Sequence, residues 1–220
     1  MSETNEQDEF DMAFDDLDDF GDDFVTITVK ELVLVVYDSS GSMRENGSSG
    51  QPKFKEAELA TNGFINRLQT SRASSSFSIA VACFSDDVEE VLPATPVNDL
   101  PDEDPISLPK PSGNTNLDAG LEWAERTANN YMEEEDDLDA DNKKIAIVIL
   151  SDGKVNRGND PRERGKSLAN QYTVGAGAFG SAAEDTLKDL VTSPDLFKVD
   201  PTPDDLRNLL ERSSRIAMRQ

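Results

Sequence analysis

The chain has 220 residues and a formal net charge of −24, from 45 acidic against 21 basic side chains. That length is enough for one domain with a real hydrophobic core, so folding needs no disulfide or metal staple. The charge repels nucleic-acid phosphates and anionic lipid heads, so neither is an expected partner, although a halophilic surface would be equally acidic.

Residues 1–24 hold eleven of the acids and no Lys or Arg. Like-charge density of this kind resists compaction, and disorder is expected there. Phe10, Phe14, Leu17 and Phe24 recur at helix-like spacing, with Met12 and Phe20 nearby. The segment therefore reads as a solubilising tail or as a short motif that folds on a partner. The division is a tail over 1–24 and one domain over 25–220.

Val25 to Val29 alternates and predicts a short edge strand. Leu32 to Tyr37 is a continuous apolar run that ends at Asp38, as expected of a strand buried on both faces of a parallel sheet. A Gly/Ser-rich loop spans Met43 to Pro52. The spacing of Phe54, Ala57, Ala60, Phe64, Ile65 and Leu68 predicts a helix. Phe77 to Phe84 reads as a strand, with Val88 to Leu92 as its hairpin partner. Six prolines between Pro93 and Pro111 predict loop. Leu117 to Met132 reads as a helix, Glu133 to Asn142 as an acidic loop, and Ile145 to Leu150 as a second fully apolar strand ending at Ser151-Asp152-Gly153. A short helix (Arg162 to Ala169), a strand (Tyr172 to Val174), a helix (Ala182 to Val191) and a last strand (Leu196 to Val199) follow. Thr202-Pro203-Asp204-Asp205 supplies an N-cap, a first-turn proline and an acid at N3 for a helix to about Met218. Strands alternating with helices give an α/β three-layer sandwich, with a mostly parallel central sheet flanked by helices. Ligands of such sheets bind beyond the carboxyl ends of the strands.

Two apolar strands end there in aspartate, Asp38 and Asp152. In Asp38-Ser39-Ser40-Gly41-Ser42, alternate positions of an extended turn project to one side, so a carboxylate and two hydroxyls converge. Thr115, at the foot of a helix, adds a third hydroxyl. Asp38, Ser40, Ser42, Thr115 and Asp152 are thus candidate metal ligands. Hard oxygen donors with few carboxylates suit octahedral Mg2+, or Mn2+ as the other ion of that class. The two carboxylates balance the charge, and the hydroxyls leave the ion electrophilic enough to take an outside anion.

The run DSSGS, Thr115 and the SDG at Asp152 resemble the von Willebrand factor A domain and its metal-ion-dependent adhesion site. The resemblance spans roughly residues 31 to 218 and implies the Rossmann-like fold of that family. It implies direct metal bonds from Ser40, Ser42 and Thr115, with Asp38 and Asp152 acting directly or through water. It also implies a last ligand supplied by an Asp or Glu of a protein partner. The lack of cysteine pairs and of a secretory leader looks like the intracellular bacterial branch, which includes tellurite-resistance-associated proteins and those paired with MoxR-type AAA+ ATPases. A cytoplasmic adaptor or scaffold, in an AAA+, stress-response or defence complex, is the expectation. The polar insert Arg44 to Gln51 departs from the pattern beside the site.

Other chemistries fare worse. The chain has no histidine and one cysteine, Cys83. That excludes Ser-His-Asp and Cys-His nucleophiles, His-ligated zinc and intrachain disulfides. Gly175-Ala176-Gly177-Ala178-Phe179-Gly180 is formally a dinucleotide fingerprint, but it falls near the end of the chain rather than in the first βαβ unit, and reads as a tight turn before a closely packed helix. Asp137, Asp139 and Asp141 start like an EF-hand, yet Asn142 stands where the glycine belongs and Val148 where the last ligand belongs. Phosphotransfer at the same strand ends is the alternative function. It needs a second acid two residues after Asp38, where Ser40 stands, so the chain is read as no enzyme. Cys83 and Trp123 read as core.

Overall fold

The computed structural model describes residues 29–134 and 142–219. The acidic tail, residues 25–28 of the expected first strand, and Asp137, Asp139 and Asp141 lie outside the described residues. Among the described residues, the strands are β1 (Lys30–Asp38), β2 (Phe77–Phe84), β3 (Val88–Pro96), β4 (Lys143–Ser151), β5 (Thr173–Ala178) and β6 (Phe197–Val199). The helices are α1 (Lys53–Thr70), α2 (Leu117–Glu133), α3 (Arg162–Gln171), α4 (Ser181–Lys188) and α5 (Pro203–Ala217). The strands form one six-stranded sheet in the order β3-β2-β1-β4-β5-β6. Only β2 and β3 pair antiparallel. This is the expected α/β sandwich with a mostly parallel sheet.

Strand alternation builds the two outer layers. Val33, Val35 and Tyr37 of β1 point to one face, where Phe64, Ile65 and Leu68 of α1 and Leu206, Leu209 and Leu210 of α5 cover them. Leu32, Leu34 and Val36 point to the other, against Leu117, Leu121 and Ala124 of α2 and residues of α3 and α4. Because both faces are covered, β1 is apolar from Leu32 to Tyr37 and β4 from Ile145 to Leu150, which is why they read as unbroken runs. Cys83 is buried, and that burial pushes its thiol up to about 12, so it is a small apolar core residue. Trp123 is buried as expected, and its indole N–H donates to Glu90 Oε2 at 3.0 Å. At α5 the expected capping box is present, with Thr202 and Asp205 each satisfying the other's backbone N–H.

Two expectations fail, each for a packing reason. The loop expected to begin at Pro93 is still strand, and β3 continues to Pro96. As the edge strand, β3 tolerates prolines, and the pairing register breaks where Pro93 falls, between Thr95 opposite Ile79 and Leu92 opposite Val81. The glycine-rich run after Val174 is likewise no turn. Gly175 and Gly177 lie inside β5, and only Gly180 turns the chain, at φ 102°. A Cβ on Gly175 would sit 2.5 Å from Ser213 Oγ of α5, and one on Gly177 would sit 2.8 Å from Leu150 Cδ2. The glycines let α5 approach the sheet. Gly175→Val is therefore expected to destabilise the fold by about 1–3 kcal/mol in urea denaturation, although valine is the better strand former.

Glu31 was not foreseen as a core residue. It is fully buried at the start of β1 and accepts from Ser214 Oγ at 2.9 Å, while its Oε1 has no hydrogen bond among the described residues. Burial holds its carboxyl well above the usual range, and the Ser214 bond offsets only part of that. A raised native pKa means that the group favours folding at pH below about 4.5 and opposes it as pH rises through the native value. Glu31→Gln should therefore raise stability at neutral pH by about 1 kcal/mol, with a gap from wild type that closes toward pH 4 in urea melts.

Candidate metal centre

The candidate residues meet where β1 and β4 end side by side. These strands are parallel neighbours, with Tyr37 opposite Leu150, so Asp38 and Ser151 leave the sheet together. Asp38 is 1% exposed. The backbone N–H of Ser40 donates to its Oδ1 at 2.8 Å, and the Ser151 hydroxyl donates to its Oδ2 at 2.5 Å. Burial raises the Asp38 carboxyl above the ordinary range and the nearby Asp152 charge adds to this, while the bonds from Ser151 and Ser40 pull it back.

Ser40 immediately precedes a 3₁₀ turn over Gly41–Arg44, and Ser42 lies within it. Ser40 Oγ and Ser42 Oγ lie 3.2 Å apart, and Ser42 donates to Asp152 Oδ1 at 2.7 Å. Asp152 follows β4 directly. Thr115 comes from the opposite side, two residues ahead of α2. It is locked reciprocally to the loop after β4: its N–H donates to Asn156 Oδ1 at 2.9 Å, and the Asn156 N–H donates to Thr115 O at 3.2 Å. Asn116 then caps α2 by accepting from the Ala119 N–H.

Gly153 shows where these groups converge. A Cβ there would stand 2.6 Å from Thr115 Oγ1 and 3.2 Å from Asp38 Oδ2. The absent side chain leaves a cradle bordered by Thr115, Asp38 and, through Asp152, the serine pair. All five residues singled out in the sequence are thus brought to one strand edge. Their donor chemistry fits a hard divalent ion: three neutral hydroxyls and two carboxylates, all oxygen. Among the described residues no group of three or more His, Cys, Asp or Glu gathers to form a metal site of another kind.

Sequence reasoning missed Lys53. It opens α1, and its ammonium donates to Asp152 Oδ2 at 2.7 Å and to Glu45 Oε2 at 3.1 Å. Burial works against its charge, but the Asp152 and Glu45 carboxylates outweigh that and hold the ammonium above the ordinary lysine range. The available signal was a cation in the first turn of a helix, where the dipole disfavours it. Ser151 and Gly153 enter the sequence reading only as neighbours of Asp152 in the SDG run, and Asn156 does not enter it.

The polar insert is pinned beside this site. Glu56 is buried and accepts from the Ser49 N–H at 2.6 Å and from the Ser49 hydroxyl. Ser48 Oγ donates to Pro201 O at 3.0 Å. Gly47 passes so close to Glu56 that a Cβ would lie 2.2 Å from Oε2. Glu56→Ala should release the insert, costing about 1–3 kcal/mol, with amide exchange rising first at residues 47–51.

These features define an α/β domain whose strand-end loops gather oxygen ligands at the carboxyl edge of a parallel sheet. The chain belongs to the von Willebrand factor type A domain family, which matches residues 32–212. Its structure is similar to proximal thread matrix protein 1 from the mussel byssus, at 20% identity and TM-score 0.62, covering 86% of this chain and 48% of that one. A form of the same mussel protein with a zinc-occupied MIDAS motif matches at 16% identity and TM-score 0.59, over 87% of this chain and 46% of that one. A von Willebrand factor type A protein from Catenulispora acidiphila matches at 15% identity and TM-score 0.63, over 86% and 43%. The chain thus spans about half the length of the mussel protein. At these identities the likeness shows the fold. No curated protein matches the chain.

Proposed function

We propose that the chain is a metal-dependent protein-interaction module. Asp38, Ser40, Ser42, Thr115 and Asp152 would hold a divalent ion, as a metal-ion-dependent adhesion site does, and an Asp or Glu of a partner protein would complete its shell. The observation that carries this reading is the cradle at Gly153, toward which Thr115 Oγ1 and Asp38 Oδ2 converge. The all-oxygen donor set favours Mg2+ or Mn2+. The ion, when bound, supplies an electrophile for an outside carboxylate. The residues of this chain orient it: Ser151 and the Ser40 N–H fix Asp38, and Asn156 fixes Thr115.

The surrounding loops suit an anionic contact. Arg44, Lys110 and Lys154 are exposed on them, while the neighbouring acids Glu45 and Asp86 are engaged by Lys53 and Arg157. The net charge of the chain still repels an acidic protein at a distance. The Debye length is about 8 Å at physiological salt, so a single partner carboxylate in a neutral or basic surround meets mainly the local cations. We further propose that the module acts in a cytoplasmic complex, such as one built on an AAA+ ATPase; its one cysteine, a buried thiol, is compatible with a reducing compartment. Phosphotransfer at the same residues is less well supported, since Ser40 stands where an acid–base carboxylate would act.

Titrating Mn2+ into the purified chain by calorimetry should give one site per molecule, abolished in Asp38→Ala and in Ser40→Ala/Ser42→Ala with unchanged circular dichroism. Lysate partners captured by wild type in Mg2+ should be lost both in EDTA and with the double serine variant. Equal metal binding by wild type and both variants would reject the site. Mg2+-dependent phosphoester turnover lost in Asp38→Ala would replace binding with catalysis.

A further inference from the structure

Lys53 is placed against its own interests. A cation at the first position of α1 faces the positive end of the helix dipole, and its stem is largely buried, with 13% of the side chain exposed. What holds it there is Asp152, whose side chain is 1% exposed and whose two oxygens are divided: Oδ1 accepts from Ser42 and Oδ2 from Lys53. The backbone braces the same geometry, since the Lys53 N–H donates to Glu45 O at 2.9 Å. Glu45 Oε2, on the exposed side, is a second seat for the same ammonium at 3.1 Å.

We propose that Lys53 is a tethered cation that competes with the divalent ion for Asp152 and so sets the metal affinity of the site. This rests on the metal reading above. With Lys53 on Asp152, the cluster of Asp38, Asp152 and Lys53 carries one net negative charge instead of two, and an incoming divalent ion meets a positive charge on the carboxylate it must share. Entry of the ion drives the ammonium off Asp152 and onto Glu45 alone, which its existing contact with Glu45 Oε2 makes feasible without unfolding the insert. The site is thereby biased toward weak metal binding by the chain alone. A partner that contributes a carboxylate restores the missing negative charge, and metal and partner then bind cooperatively.

The test is Mn2+ calorimetry on the full chain, with melting temperatures in EDTA and in Mg2+. Lys53→Met keeps the stem and removes the charge, and should bind Mn2+ at least about tenfold more tightly than wild type, equivalent to about 1.4 kcal/mol. Lys53→Arg keeps the charge and should not tighten binding. In EDTA, Lys53→Met should melt below wild type, and Mg2+ should raise its melting temperature by more than it raises that of wild type. A merely structural lysine would lower both melts alike. Lys53→Gln carries the same expectations should the methionine variant not fold. Equal or weaker Mn2+ binding by the neutral variants, with wild type still binding one ion, overturns the inference and leaves the metal site standing. Absence of binding in every protein overturns both.

Discussion

A carboxylate at the end of a strand buried on both faces is costly unless donors meet it, and Asp38 imposes that condition on everything around it. One donor is local, the Ser40 N–H, which requires the chain to turn immediately after β1. The other is Ser151, supplied by β4 only because β1 and β4 run parallel with Tyr37 opposite Leu150. A register slip of one residue would send the Ser151 hydroxyl to the opposite face and leave Asp38 without it. The same turn that delivers the Ser40 N–H delivers the serine hydroxyls, and the strand end that delivers Ser151 delivers Asp152 and Gly153. The candidate centre is assembled from the groups that make burial of Asp38 tolerable.

Topology explains why this occurs between β1 and β4. In the order β3-β2-β1-β4-β5-β6 the chain leaves β1 toward β2 on one side and later returns to β4 on the other. The loops after these two strands diverge and open a crevice at the carboxyl edge, the place where α/β sheets bind ligands. Thr115 closes the crevice from the third side, and its position depends on the loop after β4. That loop is anchored in turn by Asn159 and Arg164, which donate to Asp118 of α2 at 3.0 and 2.9 Å. A part-buried ion pair between helices thus sits behind the placement of one hydroxyl.

The sequence made the sheet and the five oxygen donors legible, because two-face burial writes unbroken apolar runs and because strand-end aspartates stand out after them. What it concealed depends on position in three dimensions. Pro93 looks like a strand breaker until β3 is known to be an edge. Gly175 and Gly177 look like a turn until the approach of α5 to β5 is known. Glu31 looks like a surface charge at a strand start, yet α5 covers it and Ser214 bonds it. Lys53 lies outside the spacing of the oxygen donors, and only the fold carries it from the far side of the insert to Asp152.

Net charge is a poor guide to the chemistry of this edge. The chain is strongly acidic, but Lys53 and Arg164 each hold two acidic partners and Arg157 holds Asp86, so much of the acidity around the crevice is paired. Screening over about 8 Å separates the two regimes. The acidic bulk governs which partners approach and keeps like molecules apart, whereas the few charges within one screening length govern what is held. For a module that read one partner carboxylate, as proposed, this separation would be useful. General acidity would suppress casual capture of acidic proteins, and recognition would be left to the one spot where a bound metal and a displaced Lys53 outweighed the field of the remainder.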